Sequence, residues 1–214
     1  MIHGPRPAPL GHLAALVLAG FVLSAGPGLA ADYADPTWPC IQRKVAVLSI
    51  GLMWPHPIPE GAPEDAALAA EIRDLAARLA LRRLAPEELR PEISAFAARH
   101  DGAPDILGRV FAQTFEVLSA RRTQVIGGIE TFSLSQIALA ERIKAARTEM
   151  TRLMQTDTPD FDKVDGLEEQ IDWDQTIHAD RQTTITYLCE TPVLIEQRLF
   201  ALARMLQEGI RLPQ

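Results

Sequence analysis

Residues 118–153 read LSARRTQVIGGIETFSLSQIALAERIKAARTEMTRL, and this stretch decides the fold. Its seam residues are the mostly apolar positions that would face a partner helix. They recur at alternating spacings of three and four, the pattern of a helix that faces one partner along its length. The same spacing returns in residues 164–206. The seam positions of the two stretches are Leu118, Arg122, Val125, Ile129, Phe132, Gln136, Leu139, Ile143, Ala146, Met150 and Leu153, and then Val164, Leu167, Ile171, Asp174, His178, Arg181, Ile185, Leu188, Pro192, Ile195, Leu199, Leu202 and Leu206.

The two seams fit each other in a single register. If the chain folds back within residues 156–165, seam residues whose numbers sum to 317 face each other. Leu153 then meets Val164 at one end, and Leu118 meets Leu199 at the other. Because one register pairs both seams throughout, the sequence predicts an antiparallel helical hairpin.

The whole chain is predicted to be all-α. Hydrophobic residues make up 47% of the chain and aromatic residues only 6%, which suits helices that bury narrow stripes. We predict one helical domain over residues 63–214, with short helices in 63–100 packed against the open end of the hairpin. The predicted hairpin consists of residues 104–155 and 160–208, and its part from 130 to 187, here called the arm, projects as a coiled coil.

The first 30 residues have the features of a secretory signal peptide. Arg6 precedes an apolar run from Leu13 to Ala25, and small residues precede a cleavage site between Ala30 and Ala31. The alternative is a membrane anchor, but the run is shorter than the roughly 20 apolar residues that a membrane span needs. We therefore predict a periplasmic or secreted protein with no membrane span after cleavage.

The charge balance argues against nucleic acid as a partner. The full chain carries 21 basic and 28 acidic side chains, and loss of Arg6 with the signal peptide leaves 20 against 28, a net charge of −8. Proteins that bind nucleic acid generally have a basic face. We predict no nucleic-acid partner.

Residues 31–62 are predicted to form an extended strap. Five prolines disfavour a helix there, while Trp38, Trp54 and several aliphatic residues make the segment too apolar for a free linker. In an oxidising compartment the only two cysteines, Cys40 and Cys189, are expected to form a disulfide that pins the strap to the second helix. The alternative is a pair of separate thiols with a metal or redox role.

A joint is predicted where the arm leaves the rest of the hairpin. Gly127 and Gly128 interrupt the first helix pattern, Pro192 interrupts the second, and the register places the two breaks opposite each other beside Cys189. The strap is expected to cross there. Alternatively, the glycines simply permit close helix packing.

A polar layer interrupts the seam in the middle of the arm. Asp174, His178 and Arg181 are consecutive seam positions, and Gln136 faces Arg181. Asp174 is expected to accept a hydrogen bond from His178 and orient its ring. Such a layer specifies helix register, recognises a partner, or binds a metal or small ligand, although one His and one carboxylate make a thin metal site. We predict no metal and no cofactor.

Aromatic residues mark candidate contact surfaces. Trp173 lies off the seam of a two-helix projection, so Trp173, Ile177 and Phe161 are predicted to form one contact surface. Packing across the flank of the hairpin is the alternative. Trp38 and Trp54 in the strap form a second candidate surface.

The sequence contains no recognisable catalytic motif. It has no G-x-S-x-G, no glycine-rich phosphate loop and no haem attachment motif, so we predict no catalytic residue and a protein that is not an enzyme. The preferred hypothesis is an exported adaptor, accessory or chaperone-like protein whose arm binds another envelope protein. The alternatives are a structural homodimer through paired hairpins, and a metal or small-ligand binder centred on Asp174 and His178.

Overall fold

A computed structural model describes residues 35–61 and 63–211. Within those residues the chain is all-helical and contains no strand, which confirms the predicted fold class. The α-helices are α1 (Ala66–Leu79), α2 (Arg90–Arg99), α3 (Pro104–Met154) and α4 (Phe161–Glu208), and 3-10 helices span Ile50–Leu52 and Pro86–Leu89. The predicted signal peptide and its cleavage site lie outside the described residues.

Helices α3 and α4 pack against each other as a hairpin. In the arm, Leu139, Ile143 and Ala146 of α3 form one cluster with Ile171 of α4, and half-buried Met150, Leu167 and Ile177 join it. Met150 and Leu167 are partners in the predicted register. Nearer the joint the buried stripe of α3 shifts by one residue, because Ile126 and Ser133 are buried while Val125 and Phe132 are only half-buried.

The open end of the hairpin is a helical bundle, here called the base. Helix α1 packs on α3, and α2 packs on α4, around a core that includes Phe96 and Phe111. The buried guanidinium of Arg198 joins α4 to the end of α1. It donates two hydrogen bonds to the carbonyl oxygen of Leu79, at 3.0 and 2.7 Å, and one to that of Leu84 at 2.6 Å. The Leu79 carbonyl is an acceptor that the end of α1 leaves without an internal partner, and Leu84 lies in the loop that follows.

The short helices begin later than the sequence indicates. The first of the short helices predicted within residues 63–100 is α1, which begins only at Ala66, where the carboxylate of Asp65 accepts from the backbone N–H of Ala67 and Leu68. The next helical segment starts as a 3-10 turn at Pro86–Leu89 and becomes α-helical only at Arg90.

Residues 35–61 form a strap that lies along α3 in the opposite chain direction. Ser133 Oγ donates to the carbonyl oxygen of Pro36 at 2.7 Å, Arg122 Nη1 donates to that of Val45 at 2.7 Å, and Arg109 donates to Gly61 at the far end. The strap is not extended throughout, because it contains the 3-10 turn at Ile50–Leu52. It therefore covers one flank of α3 from the joint to the base.

The predicted disulfide joins Cys40 of the strap to Cys189 of α4, with their Cα atoms 5.5 Å apart. Ile129 of α3 packs against both cysteines, and half-buried Trp38 and Leu188 pack around them. The alternative of two separate thiols is therefore wrong. The strap is covalently fixed at the level of the predicted joint.

The predicted interruption of the two helices at the joint is wrong. Helix α3 runs through Gly127 and Gly128, and α4 runs through Pro192. Outside the adjacent residues and nearby backbone of α3 itself, a Cβ added at either glycine would meet no described atom within 4 Å, so neither the strap nor a neighbouring helix requires a glycine there. A proline inside a helix costs about 3 kcal/mol. The buried residues on both sides of Pro192, Cys189 and Ile195, keep α4 helical and packed against α3 despite that cost.

Candidate functional site

Gln136 separates two apolar clusters in the hairpin. The cluster around Ile129 and the disulfide lies on one side, and the cluster around Leu139 and Ile171 lies on the other. The Gln136 side chain is only 5% exposed, yet neither its amide nitrogen nor its amide oxygen has a hydrogen-bond partner among the described residues. A buried amide of this kind lowers the stability of the hairpin, and it helps to specify the register of the two helices.

Asp174 forms an ion pair with Arg142 instead of binding His178. Arg142 Nε and Nη2 donate to the two carboxylate oxygens at 2.7 and 2.5 Å, while the Asp174 residue is 3% exposed. This hydrogen bonding from Arg142 holds the pKa of the Asp174 carboxyl below its usual value. A bidentate guanidinium, which always carries its charge, is a stronger donor than a neutral imidazole.

The other residues of the predicted polar layer lie apart. His178 is half-buried and lines a shallow depression of about 470 Å³ with Lys144 and Arg147, while Arg181 is exposed. Arg147 donates to Gln175 at 2.7 Å across the helix interface. The four predicted residues therefore do not form one site. The described part of the chain contains no group of three or more His, Cys, Asp or Glu residues that could hold a metal ion.

We predict that Asp174→Asn lowers stability at neutral pH and that this loss shrinks in acid. The folded-state pKa of Asp174 lies below the usual value of 3.8, so the ion pair contributes stability above that pH. The contribution is lost as pH falls through the folded-state pKa. Urea unfolding at several pH values from 7 to 3 measures the difference between the two proteins. Asp172→Asn, a neighbouring exposed position, is the control. A difference for Asp174→Asn that stays constant over this range would contradict the prediction.

Large side chains are exposed along one flank of α4. Trp173 is 69% exposed, Tyr187 is 68% exposed and Leu194 is 52% exposed. Their spacings of 14 and 7 residues keep all three on the same flank of a coiled-coil helix. Tyr187 lies two residues from Cys189, about 200° around the helix, so this flank faces away from the strap. We call Trp173 and Tyr187 the aromatic face, and Leu194 continues this flank toward the base.

The predicted contact residues near Trp173 have different environments. Phe161 is 61% exposed at the start of α4, whereas Ile177 is half-buried and packs against the apolar cluster of the arm. Ile177 therefore belongs to the packing of the hairpin and not to an exposed surface. Sequence reasoning missed Tyr187, although its spacing of two heptads from Trp173 was a usable signal.

The two tryptophans of the strap pack against the helices, and Trp54 is too deeply buried to form a contact surface. Trp54 is 3% exposed and stacks on Phe111 in the core of the base, with ring centroids 5.4 Å apart. Trp38 is half-buried beside the disulfide, and its Nε1 donates to the carbonyl oxygen of Gln42 at 2.7 Å. Both rings attach the strap to the helices.

A shallow recess of about 660 Å³ surrounds Trp173. Gly166 lies one heptad before Trp173 and adds no side chain beside the indole, while Glu169 and Asp172 supply carboxylates at the rim. The exposed indole is therefore bordered by negative charge. A partner surface that combines apolar side chains with Lys or Arg would complement it.

Similarity to other proteins adds nothing to this geometry. The chain matches no protein-family model, no curated protein and no solved structure. None of the helices in the described residues has the length and apolar character that a membrane crossing requires.

Proposed function

We propose that this chain is an exported, non-enzymatic interaction protein whose arm binds another protein of the cell envelope through the aromatic face. The observation that carries the proposal is the exposure of Trp173 and Tyr187, 69% and 68%, on one flank of α4. Tryptophan and tyrosine are the residues that most often dominate the energy of protein interfaces. Their exposure in water has no benefit for the stability of the folded chain.

The arrangement of the molecule supports this role. The disulfide and the strap hold one flank of the hairpin, and the aromatic face lies on the other flank of α4. Because the rim around Trp173 carries Glu169 and Asp172, the expected partner surface is apolar and bordered by Lys or Arg. The disulfide is compatible with a periplasmic or extracellular protein, and the signal-like sequence of residues 1–30 supports the same location.

The proposal is tested by affinity capture from envelope extract, with the whole chain as bait. We expect a discrete partner that is captured by the native protein and lost with Trp173→Ala combined with Tyr187→Ala. The control combines Leu134→Ala with Ile137→Ala, which also removes two exposed apolar side chains from the arm. Glu130 contacts Lys44 of the strap, and Ile137 lies one heptad after Glu130 on the same side of α3. Ile137 is therefore on the flank that the strap covers, opposite the aromatic face.

Three outcomes of this comparison are informative. Loss with the aromatic pair alone supports the proposal, whereas equal capture by all three proteins contradicts it. If the aromatic pair instead abolishes a dimer in sedimentation, the face binds a second copy of this chain, which is the structural homodimer considered above.

A further inference from the structure

Residues 43–49 of the strap have an unusual backbone. They form neither helix, turn nor bend, and none of their backbone N–H groups donates a hydrogen bond to another described residue. Five of the seven residues are exposed, and only Lys44 and Leu48 are half-buried. In an extended chain, successive N–H groups point to opposite edges, and the Val45 carbonyl that Arg122 binds marks the edge facing α3. The N–H groups of the other edge are open to solvent. This run of backbone donors resembles the unpaired edge of a β-sheet.

The outward side chains of this segment are apolar. Val47 is 80% exposed and Val45 is 43% exposed, and Ile41 just before the segment is 92% exposed. Aliphatic side chains beside an unpaired backbone are a liability for aggregation in an exported protein unless something covers them.

Arg43 gives this edge a charge. It is exposed between Ile41 and Val45, and it forms no ion pair or hydrogen bond with any described residue. The neighbouring Lys44 differs, because it pairs with Glu130 of α3 and with Asp35. Arg43 is therefore a positive group directed to solvent in a chain whose net charge is negative.

We propose that residues 41–49 are a docking edge for an extended segment of a partner protein, in which an acidic residue between two apolar residues faces Arg43. Backbone hydrogen bonds to the free N–H groups supply affinity in this mode of recognition, and side chains supply specificity. The positive charge of Arg43 favours an acidic residue at the facing position of the partner segment. A second copy of the strap paired about residue 43 is disfavoured, since it would place two arginines opposite each other.

The edge is held ready for binding. The disulfide at Cys40 fixes one end, Arg122 holds the carbonyl of Val45 at 2.7 Å, and Gln207 holds that of Met53 at 2.7 Å. A partner segment therefore meets a backbone whose conformational entropy is already reduced. This surface is distinct from the aromatic face, so either proposal stands without the other.

The test uses a phage-displayed library of random nine-residue peptides, selected on the full chain with its disulfide intact. We expect selected peptides to carry Asp or Glu between aliphatic residues. Arg43→Glu is expected to weaken the best of them about tenfold or more and to select Lys or Arg at the same position, as reversal of a close charge pair predicts. Arg83→Glu, at another exposed arginine, is the control and should change neither result.

Hydrogen exchange locates the bound peptide. Slower exchange of the amides in residues 43–49 on adding the selected peptide supports the proposal. It is overturned if no acidic peptide is selected, if Arg43→Glu has no effect, or if protection appears around Trp173 instead. Protection around Trp173 would show that the peptide binds the aromatic face and that the strap is not its binding site.

Discussion

Replacing both Cys40 and Cys189 by alanine is expected to lower the free energy of unfolding by about 4 kcal/mol, because the crosslink restricts the unfolded chain over a long loop. The two cysteines are 149 positions apart in the sequence, so the entropy restored to the unfolded chain is at the high end of what a single disulfide contributes. Urea unfolding of the native and variant proteins, both without reducing agent, measures this difference.

Reducing agent is the control for the disulfide experiment. It should lower the stability of the native protein to that of the double variant and leave the variant itself unchanged. A native protein whose unfolding midpoint is the same with and without reductant would contradict the account. The strap would then be held by its hydrogen bonds to Arg122, Ser133 and Gln207 alone.

Trp54→Ala is expected to destabilise the protein by about 3–5 kcal/mol, the usual cost of deleting a buried aromatic ring. The indole is 3% exposed, stacks on Phe111, and lies so close to Gly108 that a Cβ there would stand 3.1 Å from its Nε1. Its removal leaves a cavity between the strap and α3. The measurement is again urea unfolding at neutral pH.

Trp173→Ala is the matched control, since it deletes the same side chain at a site that is 69% exposed. Substitutions at such surface positions change stability by only about 0.5 kcal/mol. Equal destabilisation by the two tryptophan variants would contradict the assignment of Trp54 to the core and of Trp173 to the surface.

The sequence predicted the hairpin because helix seams are a periodic property. Seam spacing depends on which face of a helix is buried, and a register common to two seams is difficult to produce by chance. The disulfide followed from the count of two cysteines and the inferred compartment. The shared register of two long seams and the count of cysteines are properties of the whole chain. The conformation of a single side chain could therefore not overturn either prediction.

The site was harder to predict because it depends on side chains that do not follow the seam. Arg142 lies off the seam, yet its length lets it reach Asp174 and displace the expected histidine. Trp54 and Trp173 have the same chemistry, and only the path of the strap decides which one is buried. The sequence predicts a break at the glycine pair, but α3 has enough tertiary contacts to continue through it.

The most direct test of the proposed function is photo-crosslinking in cells that produce the protein. A photoreactive residue replaces Thr176, which lines the recess beside Trp173, or Thr148, which lines the depression on the opposite flank. Both threonines donate only to a carbonyl of their own helix, so the two substitutions are matched. We predict a discrete crosslinked partner from position 176 and none from position 148. No adduct from 176, or the same adduct from both positions, would contradict the claim that the aromatic face binds a partner.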